Sequence, residues 1–224
     1  HYFSYHPDEI FLLLPSFGFA QGDWNPHFFN YGTLYIYLVG MPAVLLGLPP
    51  DPGQFPVGLA PLYLLGRIIT ALLGLASAVV LYSAVRRENR ESARLAALLL
   101  ACCPLHVVNS WYATVDVPAT FFLTVAFLFA IGGARHPNLR AGAVTGLAVG
   151  LAAATKYNAG LFLIPALVAP CLRKYRERSW RWPVGVLAGA IGGFAIGCPF
   201  FWTEEFRRGL LFELHHARVG GTLA

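Results

Sequence analysis

Six long apolar runs, separated by short loops, set the terms for this chain. They cover approximately 60–85, 94–110, 117–133, 141–155, 159–172 and 183–202. A bilayer core needs about 20 apolar residues per helix, with a range of roughly 17–25. Such a pattern predicts helices that live in lipid. Composition agrees, since only 12% of residues are charged and 57% are hydrophobic, against about 25% charged in soluble domains. A further apolar stretch, 33–48, is short and interrupted by Gly40 and Pro42. The four cysteines, Cys102, Cys103, Cys171 and Cys198, sit in apolar runs without metal-ligand spacing and read as small buried hydrophobes.

The net charge of +5 does not point to nucleic acid, because the basic residues cluster between apolar segments. Three loops, Arg86 to Arg94, Arg135 to Arg140 and Arg173 to Arg181, hold 11 of the 16 Lys and Arg and three acids, Glu88, Glu91 and Glu177. The positive-inside rule assigns these loops to the cytoplasm. Two cytoplasmic loops must be separated by an even number of crossings. Two runs therefore lie between residues 94 and 135, and two between 140 and 173, the latter short enough to need tilt or local thinning. Residues 60–85 then run from outside to inside, and 1–59 lie outside. The stretch 33–48, preceded and opened by Tyr31, Tyr35 and Tyr37, reads as a helix in the outer interface, with a second such helix at 9–14. Residues 203–224 form an external tail. The expected architecture is an all-α polytopic membrane bundle: an external loop with juxtamembrane helices (1–59), about six spanning helices (60–202) and the tail. A chain that starts at His1 and stops after a polar segment reads as a fragment lacking a first helix and a C-terminal portion.

Two glycine series predict close helix packing. Gly185, Gly189, Gly193 and Gly197 recur every four residues, as do Gly142, Gly146, Gly150 and Ala154. Each makes a small-residue ridge along one helix face.

On this topology the chemically capable residues collect at the outer face. They are Asp8 and Glu9 after His6-Pro7, Arg67, Asp116 before Val117-Pro118, Lys156 in Thr155-Lys156-Tyr157, and the tail with Glu204, Glu205, Glu213, His215, His216 and Arg218. Each has a structural alternative. Asp8 could cap helix 9–14, Asp116 could cap a helix beginning near Pro118, and Lys156 and Arg67 could snorkel to the interface. His215 and His216 point about 100° apart on a helix, which argues against a shared metal site. Lys156 is the one lysine outside the basic loops, and ionisable groups at membrane depth are functional candidates. Together, external carboxylates and boundary cations suit a lipid substrate with an anionic head group. Arg and Lys would hold its phosphate, and a carboxylate would serve as general base.

These motifs, in this order, resemble the membrane-embedded GT-C glycosyltransferases that use polyprenyl-phosphate sugars, in the protein O-mannosyltransferase and aminoarabinose-lipid A transferase branch. The resemblance rests on His6-Pro7-Asp8-Glu9, on Gly22-Asp23-Trp24-Asn25-Pro26 followed by Tyr31-Gly32-Thr33-Leu34-Tyr35, on Gly66-Arg67, on Asp116-Val117-Pro118 and on Thr155-Lys156-Tyr157-Asn158. It implies a GT-C transmembrane module in a plasma (inner) membrane with its active site outside. Asp8 would be the catalytic base, with Glu9 assisting or orienting it. Lys156 and Arg218, with Arg67, would bind the donor phosphate, and Asp116 would support the site, with His216 in the tail beside it. Relatives often carry Lys-Pro or His-Pro where Asn30-Tyr31-Gly32 stands here, so a donor contact would be lost or replaced by Tyr31. The implied partners are a polyprenyl-phosphate sugar, a protein, lipid or glycan acceptor and the bilayer. No cofactor is required, although Asp8, Glu9 and the tail histidines could assist a divalent metal. The alternative is a membrane transporter or lipid flippase, since intramembrane charges also mark transport paths.

Overall fold

A computed structural model describes residues 6–48, 57–172 and 179–220. Among the described residues the regular structure is entirely helical. The loop between residues 48 and 57, and most of the third basic loop, lie outside them.

The membrane part begins with α3 (Ala60–Val85), a 26-residue helix. The run 94–110 divides into α4 (Arg90–Ala101) and α5 (Pro104–Asn109). It does not form the single helix its hydropathy suggested. Pro104 supplies no N–H, and its ring conflicts with the carbonyl four residues back, so the helix restarts there. Then come α6 (Asp116–Gly133), α7 (Leu139–Thr155), a 3-10 segment (Tyr157–Phe162) leading into α8 (Leu163–Val168), and α9 (Arg181–Gly197). By length and apolarity α3 and α6 alone, among the described residues, suffice to cross a bilayer. The others are shorter apolar helices. Leu72, Leu75 and Val79 on α3, and Leu95, Leu98 and Leu99 on α4, are each more than half exposed. A contiguous apolar exterior of this kind suits lipid. Of the cysteines expected in the interior, only Cys198 is buried, while Cys102 and Cys171 face outward from apolar helices.

The most extensive packing is α7 against α9, and α6, α3 and α4 follow in a row. The two glycine ridges face each other across the α7–α9 seam. A Cβ on Gly146 would stand 2.0 Å from the Val186 carbonyl oxygen, and one on Gly189 would stand 2.1 Å from that of Ala143. Only hydrogen fits there, so the two backbones touch.

The bundle's two ends differ. At one end Arg135 pairs with Glu88, joining the first two basic loops. At the other gather the start of α3, the start of α6, the ends of α7 and α9, and the N-terminal segment. That segment comprises α1 (Pro7–Leu13), a 3-10 helix (Leu14–Gln21) and α2 (Leu34–Leu45). It has its own apolar core, in which Leu12, Leu13, Phe19, Tyr35 and Val39 close over Leu62 and Tyr63 of α3. Residues 203–220, read as a tail, are largely a regular helix, α10 (Glu204–Gly220).

Candidate active site

The start of α1 decides what each of its two acids can do. His6, not Asp8, caps the helix. Its Nδ1 accepts from the Asp8 N–H at 3.2 Å, Pro7 fits the first turn without an N–H to satisfy, and Glu9 accepts from the His6 N–H at 3.4 Å. This reciprocal box turns Glu9 inward, where it is 0% exposed. There Arg67 grips it with two bonds, Nε to Oε1 at 2.9 Å and Nη2 to Oε2 at 2.8 Å. The Ala113 N–H adds a third bond to Oε1 at 2.9 Å. A buried carboxylate held this way by a planar guanidinium is a fixed ion pair. It ties α1, α3 and the loop before α6 into one block.

Asp8, one residue earlier, points the other way and is half-buried. Tyr31 donates its hydroxyl to Asp8 Oδ2 at 3.2 Å. Burial, with the negative charge of Asp8 beside it, pushes the Tyr31 pKa up to about 12. Tyr31 is therefore a hydrogen-bond donor that orients Asp8, not a base. The glycine after it is required by packing. A Cβ on Gly32 would lie 2.0 Å from the Ala154 carbonyl oxygen, so the loop carrying Tyr31 rests directly on the end of α7.

That end of α7 is the next component. Lys156 leaves helical geometry at the C-cap and pairs with Asp116. Asp116 lies in the first turn of α6 but does not cap it, because the cap position is Val115, with no side-chain bond. Its carboxylate is free to serve Lys156. The pair is partly open, with side chains 30% and 45% exposed.

Tyr31 and Lys156 both line a cavity of roughly 450 Å³, with Asn30, Tyr157, Asn158, Leu161, Leu210, Glu213 and Leu214 among the other walls. This volume lies within the range of about 300–1,000 Å³ typical of small-ligand sites. Each of the two motif residues on its wall holds a carboxylate in direct contact, Asp8 through Tyr31 and Asp116 through Lys156. At Gly160 the cavity meets a second, almost wholly apolar groove of roughly 370 Å³ between α7, α8 and α9, lined by Ala153, Leu163, Ile191 and Phe194.

The last wall is α10. Phe206 packs edge-on against Phe29 and Tyr157, and Gly209 lies against the Phe29 backbone. Beside this contact, His27 bridges two acids. Its Nε2 is 3.0 Å from Asp23 and its Nδ1 is 2.9 Å from Glu205 on α10. Both ring nitrogens face carboxylate oxygens, which only the imidazolium satisfies. The hydrogen bonds to Asp23 and Glu205 raise the His27 pKa, and those from His27 lower the pKa values of Asp23 and Glu205. His27 sits at φ +50°, in the left-handed region that side chains seldom adopt.

The structure thus brings Asp8, Tyr31, Lys156 and Asp116 together, and places Glu9 and Arg67 in an adjoining buried pair. His216 stacks on Phe212, and neither it nor Arg218 lines the cavity. Among the described residues no three His, Cys, Asp or Glu side chains are grouped to hold a metal ion. The sequence reading missed the wall formed by Asn30, Asn158 and Leu210, and it assigned Glu213 no role. The signals for α10 were Thr203, whose hydroxyl accepts from the Phe206 N–H at 3.2 Å, the acids Glu204 and Glu205 in the first turn, and the spacing of Phe206, Leu210 and Glu213 on one helical stripe.

The family model for the dolichyl-phosphate-mannose-protein mannosyltransferases matches residues 64–202. This span contains Arg67, Asp116 and Lys156, and it precedes or follows Asp8, Tyr31 and Glu213. Comparison with curated proteins and with solved structures returns no match.

Proposed function

The chain belongs to the dolichyl-phosphate-mannose-protein mannosyltransferase family, membrane glycosyltransferases that draw on polyprenyl-phosphate sugars, and from that premise we propose a specific reaction and residue assignment. The chain moves a sugar from a polyprenyl-phosphate donor to an acceptor on the non-cytoplasmic side of the membrane. The observation that carries this reading is the cavity flanked by Asp8–Tyr31 and Asp116–Lys156. The sidedness is supported by the Glu88–Arg135 pair, which gathers two basic loops at the opposite end.

In this reading the donor phosphate lies on Lys156. An ammonium has three donors, so it can hold Asp116 and phosphate oxygens together. The polyprenyl chain crosses Gly160 into the apolar groove between α7 and α9. Asp8, oriented by Tyr31, accepts the proton of the acceptor hydroxyl as the acceptor oxygen attacks the anomeric carbon. The bond from that carbon to the phosphate oxygen breaks, and polyprenyl phosphate leaves with the electron pair. Glu9 and Arg67 act as positioning residues that fix α1 and hence Asp8. Arg218 and His216 stand further along α10, where they would meet the acceptor or the bilayer surface.

The test is transfer of radiolabelled sugar from a panel of polyprenyl-phosphate sugars, using the protein in membranes, with Asp8→Asn in parallel. Label transfer that disappears in the variant supports the reading. Vectorial uptake by sealed vesicles without a covalent product would replace it with transport.

A further inference from the structure

The cavity contains a carboxylate that the reaction above does not use. Glu213 lies on the inward stripe of α10, the same stripe as Phe206, Gly209 and Leu210, and it is half-buried. The cavity it lines also has Leu161, Leu210 and Leu214 on its walls, with Asn30 and Asn158. Among the described residues it forms no hydrogen bond or ion pair. Lys156, the cation that lines the same cavity, is paired with Asp116. A carboxylate on a cavity wall without a partner keeps its full acceptor capacity for a ligand. Here α10 is held in place by Phe206, Gly209 and the His27–Glu205 bridge, which keeps Glu213 on the cavity wall.

We propose that Glu213 is the residue that reads the donor's glycosyl ring, accepting hydrogen bonds from ring hydroxyls in the cavity that Lys156 also lines. This rests on the assignment of the donor phosphate to Lys156. The chemistry of the wall fits a sugar. An ionised carboxylate is acceptor-only and can take two hydroxyls, whereas the amides of Asn30 and Asn158 both donate and accept. Tyr31 and Tyr157 add aromatic surface for the ring's apolar face. Charge also sets direction. Glu213 repels a phosphate and Lys156 attracts one, so the donor enters with its phosphate at Lys156 and its ring at Glu213. That orientation leaves the anomeric carbon between the two.

Glu213→Ala and Glu213→Gln, made in the protein in membranes, separate this role from a structural one. Three quantities are measured for each: kcat/KM for the preferred donor, the same constant for donors lacking single ring hydroxyls, and Kd for sugar-free polyprenyl phosphate. The expected result for Glu213→Ala is a fall of roughly 10- to 100-fold in kcat/KM with the preferred donor. Discrimination against one deoxy donor should collapse toward unity, Kd for the sugar-free lipid should stay within about twofold, and Glu213→Gln should be intermediate. Wild-type discrimination in both variants overturns the proposal. So does an equal loss of affinity for the sugar-free lipid, which would put Glu213 at the phosphate or in the scaffold. Failure of Lys156→Ala to weaken sugar-free lipid binding, with discrimination still lost at Glu213, would instead break the phosphate assignment alone. Absence of transfer from any donor by the unaltered protein would remove both.

Discussion

Two carboxylate–cation pairs lie at the same end of this bundle and do opposite things. Glu9–Arg67 is closed. The carboxylate is 0% exposed, both its oxygens are bonded to the guanidinium, and a backbone N–H completes the set. Asp116–Lys156 is open, partly exposed on both sides, and borders a cavity. The cation chemistry follows the duty. A planar fork suits a permanent two-point grip, whereas an ammonium keeps donors to spare for a ligand. The same contrast separates the neighbours Asp8 and Glu9, which the capping box turns to opposite sides. Sharing a motif therefore does not mean sharing a role. Burial and bonding decide which acid holds the scaffold and which stays partly exposed.

Substitutions can break this contrast, and the largest effect belongs to the adjacent acids. Asp8→Asn should lower sugar transfer by roughly 10²- to 10⁴-fold, the usual contribution of a general base, with the unfolding temperature unchanged. A comparable loss of stability in Asp8→Asn would mean that Asp8 too is scaffold. Next, Arg67→Ala leaves a buried carboxylate uncompensated and should cost about 3–5 kcal/mol of stability, read by thermal unfolding in detergent. Recovery of part of that loss in the double variant with Glu9→Gln would confirm that the unpaired charge is the cause. Lys156→Ala should do the reverse. Its pair is partly solvated and worth only about 0–1 kcal/mol to stability. Loss of a charged hydrogen bond to phosphate costs about 1.5–3 kcal/mol, or roughly 10- to 100-fold in donor affinity, measurable as a rise in KM. Equal stability losses at Arg67 and Lys156 would erase the distinction.

The smallest effect concerns the His27 bridge that docks α10 over the cavity. The pKa of His27 is raised from 6.5 by Asp23 and Glu205. Its contribution is therefore fully present below pH 6.5 and fades as pH rises through the raised value. The pKa values of Asp23 and Glu205 are lowered from 3.8 and 4.5, so their contributions fade as pH falls through the lowered values. Docking should be tightest between these limits, with protease cleavage near residues 198–204 increasing on either side. His27→Ala should abolish the alkaline limb, and an unchanged profile in that variant would remove the bridge from the account of α10.

Much of this was legible in the residues. Lengths of apolar run and the placement of arginines are local properties, and they fixed the helical class, the boundaries of α3 and α6 and the clustering of charge at one end. Glycine spacing marked both faces of the α7–α9 seam, though not that they meet. Local patterns misled at Pro104, where hydropathy alone ignored the missing N–H, and at 204–220, where a polar composition hid a helix whose inward stripe is only partly apolar.

What the sequence by itself determined is the material: a lipid-facing helical chain with a small set of acids and cations brought to one side. Which of them touch across elements was decided by the tertiary structure, because the pairs that join those elements are remote along the chain. Glu9 and Arg67 are 58 residues apart, Asp116 and Lys156 are 40 apart, and His27 and Glu205 are 178 apart. Pairing energies act over a few ångströms. They therefore depend on how helices cross and which glycines let backbones meet, quantities that no local window of residues contains.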